Sequence, residues 1–136
     1  GWTGEERKMI SELRRVFEDD NLQVNPTCVR VPVLRAHSQS VLVTLKRTAS
    51  EDEVRTALGG GEGLSLLDDR LTGKFPTPLR ATGQDEVYVG RLRSPEGRQR
   101  SLRWNLWLCG DQLRKGAALN AIQCAERWLE LNSEAD

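Results

Sequence analysis

Val24-Asn-Pro-Thr-Cys28-Val-Arg30-Val-Pro32-Val-Leu-Arg-Ala-His37-Ser-Gln-Ser40 is the stretch from which the fold is read. Alternating valines predict a strand over 27–34, with Val29, Val31 and Val33 on one face and Cys28, Arg30, Pro32 and Leu34 on the other. Pro32 withholds a ladder donor, so the strand is expected at an edge or with a bulge there. Arg30 places a charge inside this apolar run, where it needs a partner, a ligand or a task. His37 is the only histidine of the chain.

Outward from this stretch, the punctuation is regular. Thr3 and Glu6 have capping-box spacing and predict a helix over 4–18, whose apolar face is Met9, Ile10, Leu13, Val16 and Phe17. Lys8, Glu12 and Arg15 form a second, charged stripe on it, which spacing alone reads as exposed ion pairs. A second strand is expected over 40–46, with Val41, Val43 and Leu45 buried. Ser50 and Glu53 repeat the capping box and open a helix to Leu58. The glycines at 59–61 and 63 follow a helix instead of opening one, and no Lys-Ser/Thr comes after them, so they read as a loop and not a phosphate cradle. A short strand over 64–67 and a long irregular connection over 68–84 come next. Two alternating segments, 86–93 and 101–109, flank Ser94-Pro-Glu-Gly97 and read as a hairpin. Asp111 is expected to cap a last helix to Asn132, carrying a small-residue stripe of Ala117, Ala121 and Ala125. On a neighbouring face Asn120 and Gln123 read as solvent-facing. This order gives an α+β fold with a mixed or largely antiparallel sheet and helices on one of its faces.

Composition narrows the function classes. At 136 residues, 38% hydrophobic and 29% charged, the chain is the size and polarity of one soluble domain. Lys plus Arg equals Asp plus Glu at 20 each, which argues against a nucleic-acid partner, and no apolar run is long enough to span a membrane. Cys28, Cys109 and Cys124 are odd in number and widely spaced, so neither a disulfide framework nor a zinc site is expected, and a cytoplasmic setting fits. No metal is expected, because one histidine cannot hold one without help. His37 is either a structural or surface residue or a general acid/base. Cys28, between Thr27 and Val29 and without a glycine turn, reads as core and not as a nucleophile. The chain opens on Gly1 without an initiator Met and reads as a piece cut from something longer.

Several words of the sequence are specific to a family. Thr27-Cys-Val-Arg-Val-Pro-Val followed by Ala36-His-Ser resembles the active-site segment of bacterial aspartate-semialdehyde dehydrogenases. Asn105-Leu-Trp and Asp111-Gln-Leu-Arg-Lys-Gly-Ala-Ala-Leu-Asn-Ala-Ile-Gln resemble the closing helix of that family. Glu5-Glu-Arg-Lys-Met-Ile-Ser-Glu, Pro76-Thr-Pro-Leu and Asp85-Glu-Val-Tyr-Val-Gly-Arg match in the same order. The resemblance runs from end to end of the chain but covers only the C-terminal part of such an enzyme. It implies a dimerisation and substrate domain over 1–110 and, over 111–136, a helix that packs on an N-terminal NADP-binding domain. Neither that domain's glycine-rich loop nor the Asn-Cys pair of the family's nucleophile occurs in these residues.

The resemblance also assigns roles. The full enzyme would reduce aspartyl phosphate with NADPH to aspartate semialdehyde and phosphate, on the way to lysine, threonine and methionine, as a homodimer or dimer of dimers. His37 would be the general acid/base, Arg30 the clamp on the substrate carboxylate, and Glu12 the partner of the substrate amino group. Arg15 stands where the family usually has a phosphate-contacting lysine, and Asn120 would lie near the nicotinamide. Under this reading the stripe of Lys8, Glu12 and Arg15 becomes a site wall, and the isolated chain is inactive. The competing readings are a non-enzymatic dimerisation module of the same fold and a related N-acetylglutamyl-phosphate reductase. One geometric demand follows. Arg30 and His37 are seven residues apart, so an unbroken strand would aim them to opposite faces. If both line one site, the chain must end, bend or bulge between Pro32 and Ala36.

Overall fold

The computed structural model describes residues 1–133; positions 134–136 of the expected C-terminal segment lie outside the described residues. Two compact units are present, Gly1–Pro32 and the remainder from Val33 onward.

The first unit is a helix, α1 (Gly4–Val16), followed by an irregular segment. The capping box is complete: Glu6 N–H donates to Thr3 Oγ1 at 3.2 Å, and Thr3 N–H donates to Glu6 Oε2 at 2.8 Å. Glu6 has a second use, since its Oε1 accepts from Cys28 N–H at 2.9 Å and ties the returning chain to the first turn of α1. Cys28 is half-buried, with its Sγ 3.5 Å from Met9 Sδ. Arg14 Nε donates to Leu22 O at 3.1 Å and closes the turn after the helix.

The expected strand over 27–34 does not form. Pro32 removes one of the amide donors a ladder would use, and the Cys28 amide is committed to Glu6. Val29 and Val31 are 75% and 52% exposed, so the alternation has no buried face behind it. Strand propensity measures fit against neighbours, and among the described residues no strand pairs with this segment.

The second unit is built on one four-stranded sheet in the order β1-β4-β3-β2. Its strands are β1 (His37–Ser50), β2 (Leu64–Leu66), β3 (Val87–Arg93) and β4 (Arg100–Gly110). β1 and β3 each pair antiparallel with β4, and β2 pairs parallel with β3, which makes the sheet mixed. The expected hairpin is β3–β4. The strand expected over 40–46 is longer at both ends and starts at His37, opposite Gly110. Two short helices connect the strands, α2 (Glu51–Gly59) and α3 (Pro78–Ala81), the latter inside the connection read as irregular.

β3 carries a bulge between Gly90 and Arg93, where Arg91 takes φ 53°. A bulge frees ladder amides, and Asp68 receives them: its carboxylate accepts from Arg91 N–H at 2.8 Å and Leu92 N–H at 3.2 Å. The charge is answered by Arg55 Nη2 at 2.6 Å. Core residues include Val89, Leu92 and Trp104, and a second cluster joins Ala36, Ala81 and Cys109 to Tyr88 and Trp107. Trp107 Nε1 donates to Pro76 O at 3.1 Å, which satisfies the polar edge of a half-buried indole.

The last helix is not continuous from Asp111. A π turn over Arg114–Ala118 precedes α4 (Leu119–Ser133). Its wide bonds run from Gly116 N–H to Asp111 O at 3.0 Å and from Ala118 N–H to Leu113 O at 3.1 Å. Such turns occur frequently beside functional sites.

Candidate active site

The sequence-predicted site residues fall in both units. Glu12 and Arg15 stand three apart on α1, with side chains exposed, and Arg30 is exposed two residues beyond the anchored Cys28. None of these three side chains has a hydrogen bond or ion pair among the described residues, so all three charges are free to meet a ligand. Lys8, on the same stripe, is paired instead with Glu5 at 3.0 Å.

In the second unit, His37 is exposed and is the first residue of β1. The demand for a break before it is met: the chain bends at Pro32, Leu34 and Arg35, and Ala36 takes φ 73°. Left-handed backbone at a residue with a Cβ costs on the order of 1 kcal/mol or more and persists only where the surroundings over-determine it. Here three contacts do so. Ala36 is buried in the cluster with Ala81 and Cys109. Ala36 N–H donates to Gln112 Oε1 at 2.7 Å. Arg35 Nη2 meets Asp111 Oδ2 at 2.8 Å. Beyond His37, Ser38 Oγ lies 3.2 Å from Cys109 Sγ, and the β1–β4 ladder continues.

Asp111 and Gln112 are therefore residues that sequence reading missed in part. The cap role expected of Asp111 is real, since its Oδ1 accepts from Leu113 N–H at 2.9 Å and Arg114 N–H at 3.3 Å. Its Oδ2 also accepts from Gly83 N–H at 2.7 Å, and the residue is fully buried. Burial raises the Asp111 carboxyl, but the Gly83 amide, the Arg35 guanidinium and the Leu113 and Arg114 amides outweigh it and hold the group well below the usual carboxylate range. Contacts across 76 positions leave no spacing signal in one sequence. A polar pair directly after a strand, opposite the only histidine, is the one clue available.

Asn120 lies exposed on the first turn of α4. Its amide has no partner among the described residues, whereas Lys115 Nζ is engaged with Gln123 Oε1 at 2.6 Å. No three His, Cys, Asp or Glu side chains gather as a metal site among the described residues, and no helix there is long and apolar enough to cross a membrane. Cys109 is buried, and burial raises its thiol despite the contact with Ser38. Cys124 is exposed.

Residues 1–115 match the family described as semialdehyde dehydrogenase, dimerisation domain. Among relatives, the chain is 48% identical over 125 residues to an aspartate-semialdehyde dehydrogenase of Prochlorococcus marinus, covering 92% of this chain and 36% of that protein. It is 46% identical over 126 residues to the Synechocystis protein of the same name, covering 93% and 37%. The crystal structure of aspartate semialdehyde dehydrogenase II from Vibrio cholerae, complexed with ASA, superposes with a TM-score of 0.86 at 40% identity, covering 96% of this chain and 38% of that one. The chain thus spans a little over a third of the length of these relatives. With its mixed α+β fold and its match over residues 1–115, the chain belongs to the semialdehyde dehydrogenase dimerisation-domain family.

Proposed function

We propose that this chain is the C-terminal part of an NADP-dependent aspartate-semialdehyde dehydrogenase, which converts L-aspartyl-4-phosphate to L-aspartate 4-semialdehyde and phosphate in lysine, threonine and methionine biosynthesis. The observation that carries the reading is similarity over more than nine-tenths of the chain to relatives of that name. Residues 1–110 would be the dimerisation and substrate part of a homodimer or dimer of dimers. Residues 111–136 would pack on the nucleotide-binding domain. Exposed Ile122, Trp128 and Leu129 on α4 support that packing, because an apolar face of this kind is normally covered.

In this reading the nucleophilic cysteine belongs to the part of the enzyme outside these residues, and so does most of the cofactor site. Asn120 offers both a donor and an acceptor, which fits the carboxamide of a nicotinamide. The nicotinamide cofactor, when bound, would supply the hydride as NADPH or accept it as NADP. His37 exchanges a proton with the oxygen of the tetrahedral thiohemiacetal, giving it as charge builds on that oxygen and taking it back as the carbon–sulfur bond breaks. Arg30 holds the substrate carboxylate, for which a planar guanidinium is matched in shape as well as charge. Glu12 holds the amino group, and Arg15 meets the phosphate.

The test is a fusion of this chain to the N-terminal part of the Synechocystis relative. The fusion should reduce NADP with aspartate semialdehyde only when phosphate is present, and His37→Asn should lower kcat about 10²- to 10⁴-fold. A folded, dimeric fusion without activity would overturn the reading and favour a dimerisation module.

A further inference from the structure

We propose that Asp111, acting through Arg35, is a positioning residue for His37. The inference rests on His37 being the general acid/base, and it concerns what aims that side chain. The residues just before β1 form no ladder. Only on its C-terminal side is His37 fixed by sheet pairing, which starts at His37 opposite Gly110. On its N-terminal side the backbone is held by the Arg35–Asp111 ion pair and the Ala36–Gln112 hydrogen bond, at 2.8 and 2.7 Å. Between them lies Ala36 at φ 73°, a conformation that relaxes once its restraints are removed. A change in the Ala36 dihedrals swings the His37 Cα–Cβ direction.

Asp111 is suited to hold that conformation because its own carboxylate is held from several sides. It is fully buried and takes amide donors from Gly83, Leu113 and Arg114 in addition to the guanidinium. Those last two amides begin the segment that leads through the π turn into α4 and Asn120. One carboxylate thus fixes both the backbone before His37 and the start of the helix that carries Asn120. The Arg35 end is the weaker one: its side chain is 36% accessible, and its Nε is buried without a partner among the described residues. The guanidinium is held by a single arm, so its removal loosens the link while Asp111 keeps its three amides.

The experiment is a double-mutant cycle in the fusion enzyme, with Arg35→Met, His37→Asn and both together. With His37 present, Arg35→Met should lower kcat about 10- to 100-fold, the range for misplacing a catalytic group by an ångström or less, while both KM values stay within about twofold. In the His37→Asn background the same substitution should change kcat by less than about twofold, because there is no imidazole left to aim. Asp111→Asn should behave likewise where it folds; where it does not, Arg35→Met carries the test alone. An equal loss in both backgrounds, or no loss in the first, overturns the positioning role and leaves the acid/base reading standing. His37→Asn with near-parental kcat overturns the acid/base reading, and the positioning role falls with it.

Discussion

Gly90→Ala is the perturbation whose cost the structure defines most closely. Gly90 sits on β3 opposite Trp107 of β4, where β2 and its continuation run alongside. A Cβ at this position would lie 2.2 Å from Leu67 O, 2.7 Å from Pro76 Cδ and 3.1 Å from Leu67 C. Ordinary contact begins at 3.4 Å, so the Leu67 carbonyl must withdraw by about 1.2 Å, the difference of 3.4 and 2.2. Leu67 cannot move that far freely, because its N–H donates to Val89 O at 2.8 Å. Overpacking of this kind costs about 1–3 kcal/mol, and the strained or lost hydrogen bond about 1 more. A reduced unfolded-state entropy returns about 0.5 kcal/mol. The net expectation is a destabilisation of about 1.5–3.5 kcal/mol, or roughly 10 °C in Tm for a chain of this size. Urea unfolding followed by circular dichroism measures it. Gly59→Ala, where nothing lies within 4 Å, is the control and should stay within about 0.5 kcal/mol of the parent. A Gly90→Ala protein equally close to the parent would refute the close approach of Leu67 and Gly90.

Three further outcomes are expected. Glu53 is held down to about 2 from its ordinary 4.5, by the Ser50 amide and hydroxyl first and by Arg100 after them. Its contribution to stability is therefore complete above about 4.5 and is lost as pH falls toward 2, so Glu53→Gln should flatten the acid side of the pH–stability curve and leave neutral pH less affected by pH change. Asp68→Ala leaves the Arg91 and Leu92 amides without their acceptor and Arg55 with Glu51 alone, and should cost about 2–3 kcal/mol in the same urea assay. Arg30→Lys in the fusion should raise KM for aspartate semialdehyde about tenfold with a smaller change in kcat, as steady-state kinetics would show, since the charge survives and the planar fork does not.

Much of the fold was legible because local chemistry decides it. Both capping boxes, Thr3 with Glu6 and Ser50 with Glu53, form as their spacing implies. The β3–β4 hairpin and the strand through Val41, Val43 and Leu45 follow from alternation and turn residues. What failed was the valine run at 29, 31 and 33. Alternation reports a half-buried sheet only if a neighbouring strand supplies the other half, and that is not written in the run itself. The π turn was also illegible, since an Ala- and Gly-rich segment satisfies α and π spacing alike. Arg30 and His37 stand out from the residues themselves, as a charge in an apolar run and the only histidine, whereas Glu12, Arg15 and Asn120 come from resemblance, since spacing alone leaves them facing solvent.

The failed strand and the missed pair have one physical origin. Where a ladder is withheld, something else must hold the chain, and here two buried carboxylates do much of it, Glu6 through a backbone amide and Asp111 through a side chain beside the amide that Gln112 takes. Among the described residues, the acidic residues that are buried as a whole are Glu6 and Asp111. Each ties down one part of the stretch that would otherwise have been a strand: Glu6 takes the Cys28 amide, and Asp111 takes the Arg35 guanidinium. An ordinary strand would have fixed the same residues through their amides and handed side chains to alternate faces. Point anchors leave Arg30 and His37 on chain that can adopt other directions, at the cost of a left-handed alanine between the second anchor and the histidine. The irregularity of 27–36 is thus specified as firmly as a strand would be, but by two acids outside the stretch, and a reading confined to the stretch cannot see them.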